Sequence, residues 1–191
     1  LRVFANTTAV TDFLPEILPG FMTANPRVNI DLQEKPNAEI ARGVLDGRAD
    51  LGIVAGAVDT LGLQAIHFST DRLVLVTAAS HPFATRATIA FADTLDFDQV
   101  GMHHGSTIQT FLSGVTDRLG KTLKLRIQLA SFDAMCRVIG AGVGIGVVPE
   151  SAARRNQAAM GLALIELTDP WRVRERFVLV REAVAGANCG A

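Results

Sequence analysis

Two short polar runs carry most of the chemistry legible in this sequence. Asn6-Thr7-Thr8 precedes Phe13, Leu14, Ile17, Leu18, Phe21 and Met22 at helical spacing. His103-His104-Gly105-Ser106-Thr107 likewise precedes Ile108, Phe111, Leu112, Val115 and Leu119. A helix start exposes N–H donors that lack intrahelical acceptors and carries a partial positive charge. Two such starts aimed at one volume would seat a small anion or carboxylate without a buried Arg or Lys. Asn6, Thr7, Thr8, Ser106 and Thr107 would add side-chain hydrogen bonds. Taken singly, each reads first as an ordinary cap, because Ser, Thr and Asn favour that position in any helix. Only convergence of the two starts makes a site. His103 and His104 stand where a parallel strand ends, the usual place for ligand contacts in α/β sheets. One reading turns an imidazole toward a carboxylate as donor; the other leaves both as loop histidines.

Other chemistries are poorly served. No Cys, Asp or Glu flanks the two histidines at metal-ligand spacing. Gly105-Ser106-Thr107 lacks the second glycine of a nucleophile elbow. Gly140, Gly142, Gly144 and Gly146 follow a helix and open a strand, the reverse of a dinucleotide fingerprint. They read as a helix C-cap and close packing. Asp46 and Asp50 flank a turn and read as solvated turn formers. Cys136 falls in an apolar helical pattern and reads as a small core residue, whereas Cys189 lies in a Gly/Ala-rich tail and reads as exposed. The expected catalytic residues, metal ligands and cofactors are therefore none.

Alternating strands and helices must hold the polar runs. Strands read at 1–5, across Val28, Ile30 and Leu32, and at 51–54, 73–76, 100–102, 125–129, 145–148, 162–167 and 177–180. Helices read at 37–46, with Ile40, Val44 and Leu45 inward, across Ala134, Met135, Val138 and Ile139, and at 151–159. Pro15 suits a first helical turn, Pro19 predicts a kink, and Asn25-Pro26 ends that helix. Short connections between such elements imply an α/β fold with largely parallel sheets. Residues 37–54 (NAEIARGVLDGRADLGIV) also align without a gap with residues 131–148 (SFDAMCRVIGAGVGIGVV). Ile40 meets Ala134, Val44 meets Val138, Leu45 meets Ile139, Leu51 meets Ile145, Gly52 meets Gly146 and Val54 meets Val148. The strand, polar turn, helix and strand of 1–34 recur in 98–130. Two such units point to two lobes. Strands at 162–180 would return to the first lobe, so that two crossing segments act as a hinge.

Composition narrows the partners. The 191 residues are 49% hydrophobic and 19% charged, which excludes a disordered chain. Eighteen Lys and Arg against 19 Asp and Glu leave a formal charge of −1, without a basic face for nucleic-acid phosphates. The most basic cluster, Arg154-Arg155, reads as a solvated helix end. No apolar run is long enough to span a membrane and no secretory signal is evident. Opening directly on the strand Leu1-Arg2-Val3-Phe4-Ala5, the chain reads as a fragment or processed form.

Four stretches carry a family resemblance: Leu14-Pro15 through Phe21 with Asn25-Pro26 and Val28; 45–54 (LDGRADLGIV); His81-Pro82-Phe83-Ala84; and 141–149 (AGVGIGVVP). In that order and spacing the chain resembles the effector-binding (co-inducer) domain of LysR-type transcriptional regulators. Gly105-Ser106-Thr107-Ile108-Gln109 and Ser131-Phe132-Asp133 resemble one subgroup in particular. The resemblance implies a two-lobed, type 2 periplasmic-binding-protein-like α/β fold with an inter-lobe cleft. Lobe I would comprise 1–70 plus 166–191 and lobe II 71–165. Family positions that line the cleft fall on Asn6, Thr7, Thr8, Ala55, His103, His104, Gly105, Ser106, Ser131 and Phe132. The resemblance further implies a small-molecule effector, which the helix starts suggest is an organic anion. It implies a cytoplasmic homodimer or tetramer that meets DNA only through an N-terminal winged helix-turn-helix absent from this chain. Two alternatives share the fold: a solute-binding protein of a transport system, and an enzyme, for which Cys136 would be a poor nucleophile.

Overall fold

The computed structural model describes residues 1–182, so the expectation for Cys189 lies outside the described residues. The first half of the chain forms β1 (Arg2–Ala5), α1 (Leu14–Ala24), β2 (Asp31–Glu34), α2 (Asn37–Leu45), β3 (Leu51–Ala55), β4 (Gln64–Ala78) and β5 (Thr88–Ile89). The second half forms β6 (Gln99–Met102), α3 (Thr107–Arg118), β7 (Leu125–Leu129), α4 (Phe132–Gly140), β8 (Gly146–Pro149), α5 (Glu150–Met160), β9 (Leu162–Leu167) and β10 (Val173–Val180).

Strand pairing divides these elements into two sets. In one, β2, β1 and β3 run parallel, followed by antiparallel β10 and then β4. In the other, β7 pairs parallel with β6, which is bridged to Ile145 just before β8, and β8 pairs antiparallel with β4. β9 and β5 complete that sheet beyond β4. Each set thus has the order second, first and third strand of one unit, then an antiparallel crossing strand. The internal echo of the sequence is an echo of topology. The sheets are mixed rather than largely parallel, because a strand arriving from the other lobe enters from the opposite end. β4 is longer than the 73–76 read from sequence because it serves both lobes. Gln64–Arg72 pairs with β10, whereas Leu73–Ala78 pairs with β8 and β9.

Side-chain alternation builds the core of the first lobe. Phe4 and Val54 face α2 and meet Ile40, Val44 and Leu179, whereas Val3, Ala5 and Ile53 face the other side and meet Leu14. In the second lobe Phe132, Met135, Cys136 and Ile139 of α4 pack with Leu75, Val100, Met102 and Val148. Each large aliphatic or aromatic side chain buried there contributes roughly 1.5–3 kcal/mol. The late glycines behave as read. Gly142 has φ +81°, and a Cβ on Gly140, Gly144 or Gly146 would meet backbone oxygens of Met160, Asp98 or Val100 at 2.5–2.7 Å. His81 ties down the His81-Pro82-Phe83 turn. Its Nδ1 accepts from the Phe83 N–H at 3.1 Å, and burial pushes its pKa down, favouring the neutral ring.

Several local expectations need correction. Leu45 points outward at 48% exposure, because it lies one residue past Val44 and has turned off the Ile40–Val44 face. β2 begins at Asp31, so Val28 and Ile30 precede it; the ladder with β1 starts at Arg2 opposite Asp31. The helix carrying Pro15 opens with a π-helical turn, Ala9–Phe13, in which the Leu14 N–H donates to Ala9 O. Pro15 has no N–H to give Thr11, so the wider turn seats its ring at the start of α1. Helix α1 then continues through Pro19 to Ala24.

Candidate functional site

Between the lobes lies a cavity of about 400 Å³ including its mouth. Both polar helix starts reach it. Asn6, Thr7 and Thr8 line one side, and Thr107 and Ile108 line another. The caps are real caps. Asn6 Oδ1 accepts from the Ala9 N–H at 3.0 Å, and Ser106 Oγ accepts from the Gln109 N–H at 3.2 Å. They leave the outermost amides free. Among the described residues the N–H groups of Thr7, Thr8, Thr107 and Ile108 have no acceptor. The two starts therefore bring four unpartnered donors to one volume.

The cavity also holds a cation that the sequence reading did not single out. Arg174 and Arg176 stand two apart on β10 and face the cavity together. Arg176 pairs with Asp71 of β4, whose Oδ2 also accepts from Ser151 Oγ at 3.0 Å. Asp71 is thereby spent, and Arg174 is left over. Its only hydrogen bond among the described residues runs to Ala55 O at 3.3 Å. Its guanidinium lies 4.5 Å from the centroid of Phe111, and Trp171 packs edge-on against the same ring at 5.3 Å. Gly56, at φ +78°, leaves room for that guanidinium, against which any Cβ would collide. Burial pushes the Arg174 pKa down from the ordinary arginine value, yet a guanidinium keeps its charge at neutral pH. A half-buried, charged donor with no carboxylate partner among the described residues, beside four free amides, suits an anion. Leu73, Ile108 and Pro149 supply apolar wall.

A second compartment, about 730 Å³ with its opening, lies beside the first and shares Thr7 and Thr107 with it. Glu34, Lys35, Pro36, His103, His104, Gly105, Ser106 and Ala130 complete its lining. Here the lobes touch. Glu34 Oε1 accepts from Thr7 Oγ1 at 2.5 Å and lies 3.2 Å from His103 Nε2. Thr107 Oγ1 accepts from the Asn37 N–H at 3.3 Å, while Asn37 Nδ2 donates to Ala55 O at 2.8 Å.

The residues singled out from sequence thus fall into three groups. Asn6, Thr7, Thr8 and Ala55 line the cavity with Arg174. His103, His104, Gly105 and Ser106 line the neighbouring compartment, with His103 occupied by Glu34 rather than free for a ligand. Ser131 and Phe132 line neither. Ser131 Oγ caps α4 by accepting from the Ala134 N–H at 3.2 Å, and Phe132 is wholly buried in the second lobe. Arg174, Asp71, Arg176 and Asn37 were missed. The alternation Val173-Arg174-Glu175-Arg176-Phe177 would have put both arginines on one strand face, but not inside a cleft. Arg155 is exposed, as read, but it stands in the middle of α5 and is paired. It bonds Asp12 and Asp133 at 2.8 and 2.9 Å. Cys136 is fully buried, and burial pushes its thiol up to about 11, which removes it as a nucleophile.

Comparison with known proteins agrees with this geometry. The LysR substrate binding domain model matches residues 1–185. The HTH-type transcriptional regulator MJ0300 of Methanocaldococcus jannaschii is 24% identical over 172 residues, covering 88% of this chain and 58% of that protein. A probable RuBisCO transcriptional regulator of Trichormus variabilis is 28% identical over 158 residues, covering 80% and 47%. The chain spans about half the length of such relatives. The regulatory domain of Synechocystis PCC6803 CcmR, solved with 2-PG, superposes with a TM-score of 0.79 at 22% identity, covering 96% of this chain and 88% of that one. The effector binding domain of QuiR, solved with shikimate, gives 0.72 at 16% identity, covering 95% and 87%. With its two strand–helix units, two crossing segments and inter-lobe cavity, the chain belongs to the LysR substrate binding domain family.

Proposed function

We propose that this chain is the effector-sensing part of a LysR-type transcriptional regulator and that its effector is a small organic anion held at Arg174. One observation carries the reading: a half-buried guanidinium with no carboxylate partner among the described residues faces a cavity also lined by Thr7, Thr8, Thr107 and Ile108, whose amides have no acceptor among those residues. Such fixed donors lining a cleft favour a negative group without reorganising. Small molecules named with the CcmR and QuiR domains support the same use of the fold.

The lobes would be 1–70 with 166–191, and 71–165. The partner switch of β4 between Arg72 and Leu73 supports a hinge there. An anion that contacts both helix starts favours the closed arrangement, and the difference in affinity between open and closed forms is the signal passed on. We place that signal in a cytoplasmic homodimer or tetramer that meets DNA through a separate winged helix-turn-helix. Exposed Ile17, Phe21 and Met22 in the first lobe and Leu119, Leu125 and Ile127 in the second offer apolar surface for such assembly. No helix of the described residues is long and apolar enough to cross a membrane. The relatives above are named as regulators, which gives the transport reading no support, and no catalytic role is proposed.

Calorimetry tests the proposal with carboxylates from acetate to benzoate and with inorganic phosphate. At least one should bind, and Arg174→Met should weaken it by about 100-fold, the scale of removing one partner of a buried charged hydrogen bond. Thr8→Ala and Ser106→Ala should weaken it less, because the amides remain. Unchanged affinity in Arg174→Met would remove the cavity from effector binding.

A further inference from the structure

The two lobes also meet at a charge cluster that the anion cavity does not use, with Asp12 buried and Arg155 and Asp133 partly exposed. Arg155 lies on α5, whose N-terminal cap Pro149 is part of the cavity wall. Its Nη2 donates to Asp133 Oδ1 at 2.9 Å, and Asn156 Nδ2 donates to the same oxygen at 2.7 Å. Asp133 opens α4. Arg155, Asp133 and Asn156 therefore belong to one lobe and hold one another in place. Burial opposes the charge on Arg155, but its hydrogen bonds to Asp12 and Asp133 outweigh burial and raise its pKa. Burial likewise works against ionised Asp133, yet the bonds from Asn156 and Arg155 hold its carboxyl below the usual range.

Asp12 belongs to the other lobe and lies in the π-helical turn that directly follows Thr7 and Thr8. Its Oδ1 accepts from Arg155 Nη2 at 2.8 Å and lies 3.5 Å from the Thr11 hydroxyl. The side chain is only 3% exposed, and Oδ2 has no partner among the described residues. Burial pushes the Asp12 carboxyl up, opposed by its hydrogen bond from Arg155. A carboxylate in that position depends on a single cation, and that cation stands on the opposite lobe.

We infer that Arg155 is a positioning residue for the anion cavity: set in place by Asp133 and Asn156, it captures Asp12 as the lobes close and holds the Thr7–Thr8 tip over the bound anion. Opening the cleft parts the Glu34–His103 and Asn37–Thr107 contacts, and within this cluster it breaks only the bond to Asp12. Arg155 keeps Asp133, and Asp12 regains water, so the open form stays folded. The clamp acts on the closed form and hence on how long an anion stays. The inference rests on the reading of the cavity as an anion site, but the clamp itself can be observed without ligand.

The test uses the whole chain with Cys189→Ser, and spin labels at Glu39→Cys and Lys121→Cys, which are exposed positions in the two lobes. Buried Cys136 stays unlabelled. Pulsed EPR compares this parent with Asp12→Asn before any anion is added. A longer and broader inter-label distance in Asp12→Asn, at a melting temperature near the parent's, supports the clamp. With benzoate as probe, stopped-flow fluorescence of Trp171, the one tryptophan, should show about tenfold faster dissociation and an association rate within twofold. The distance distribution of the parent, or an affinity loss carried by slower association, would overturn the inference. If benzoate binds neither protein, the anion reading fails for that probe while the ligand-free distances still decide the clamp. Should Asp12→Asn misfold, Arg155→Lys replaces it. One ammonium cannot span both carboxylates as the guanidinium does, so an unchanged distance there would also count against the clamp.

Discussion

The two repeated units, β1–α1–β2–α2–β3 and β6–α3–β7–α4–β8, have the same strand order and send a helix start to the same cavity, yet they differ almost everywhere else. In the second, Ser106 caps a regular α-helix. In the first, Asn6 caps a π-helical turn that Pro15 requires, and that turn brings Asp12 to Arg155. Ile139 is wholly buried under its sheet, whereas the aligned Leu45 is 48% exposed. Gly146 lies against a backbone oxygen, whereas Gly52 lies against side chains of Ile40 and Val44. What the units share is the backbone that aims N–H groups inward. Packing on their outer faces is free to diverge, because ligand chemistry does not reach it.

Single substitutions at matched positions sharpen or break that contrast. The largest difference should come from Ile139→Ala against Leu45→Ala. The first should cost about 2–5 kcal/mol in urea unfolding and the second less than about 0.5 kcal/mol. Comparable losses would mean that the outer faces are not different after all. Next, Gly146→Ala should destabilise by about 1–3 kcal/mol, since a new Cβ at 2.7 Å from Val100 O must move a strand. Gly52→Ala should cost a similar amount through a different neighbour, since its Cβ would lie 2.4 Å from a methyl of fully buried Ile40, whose χ1 is fixed in the helix. The caps come third. Ser106→Ala should lose about 1 kcal/mol, and Asn6→Ala should lose more, because Asn6 also bonds Asn37. Equal losses would show that the Asn6–Asn37 bond contributes nothing. A pH-dependent effect concerns Cys136, which only the second unit has in its core. Its folded thiol titrates at about 11 against an ordinary value of 9.0. The stability it contributes is therefore full below pH 9 and lost as pH rises toward 11. Urea midpoints between pH 8 and 11 should fall more steeply in the parent than in Cys136→Ala.

Much of this was open to a reader of the sequence. Periodicity placed the helices, and the gapless match of 37–54 with 131–148 revealed the paired units. The polar starts at Asn6 and Ser106 could be named because capping chemistry is local. What stayed hidden depends on contacts far apart in the chain. Arg174 matters because Asp71 is taken by Arg176, and sequence spacing cannot tell which of two arginines is paired. Arg155 looked solvated beside Arg154, because nothing near it in sequence announces Asp12. Leu45 reads as core on helical spacing and is turned out only by where α2 ends.

The central claim is that an anion lodges at Arg174, between the two helix starts. A crystal structure of the chain with the tightest-binding carboxylate from the calorimetric series addresses it directly. The account predicts the carboxylate within hydrogen-bonding distance of the Arg174 guanidinium and of the amides of Thr8 and Thr107. Density for the carboxylate against Lys35 and His104, with Arg174 left uncontacted, would contradict it.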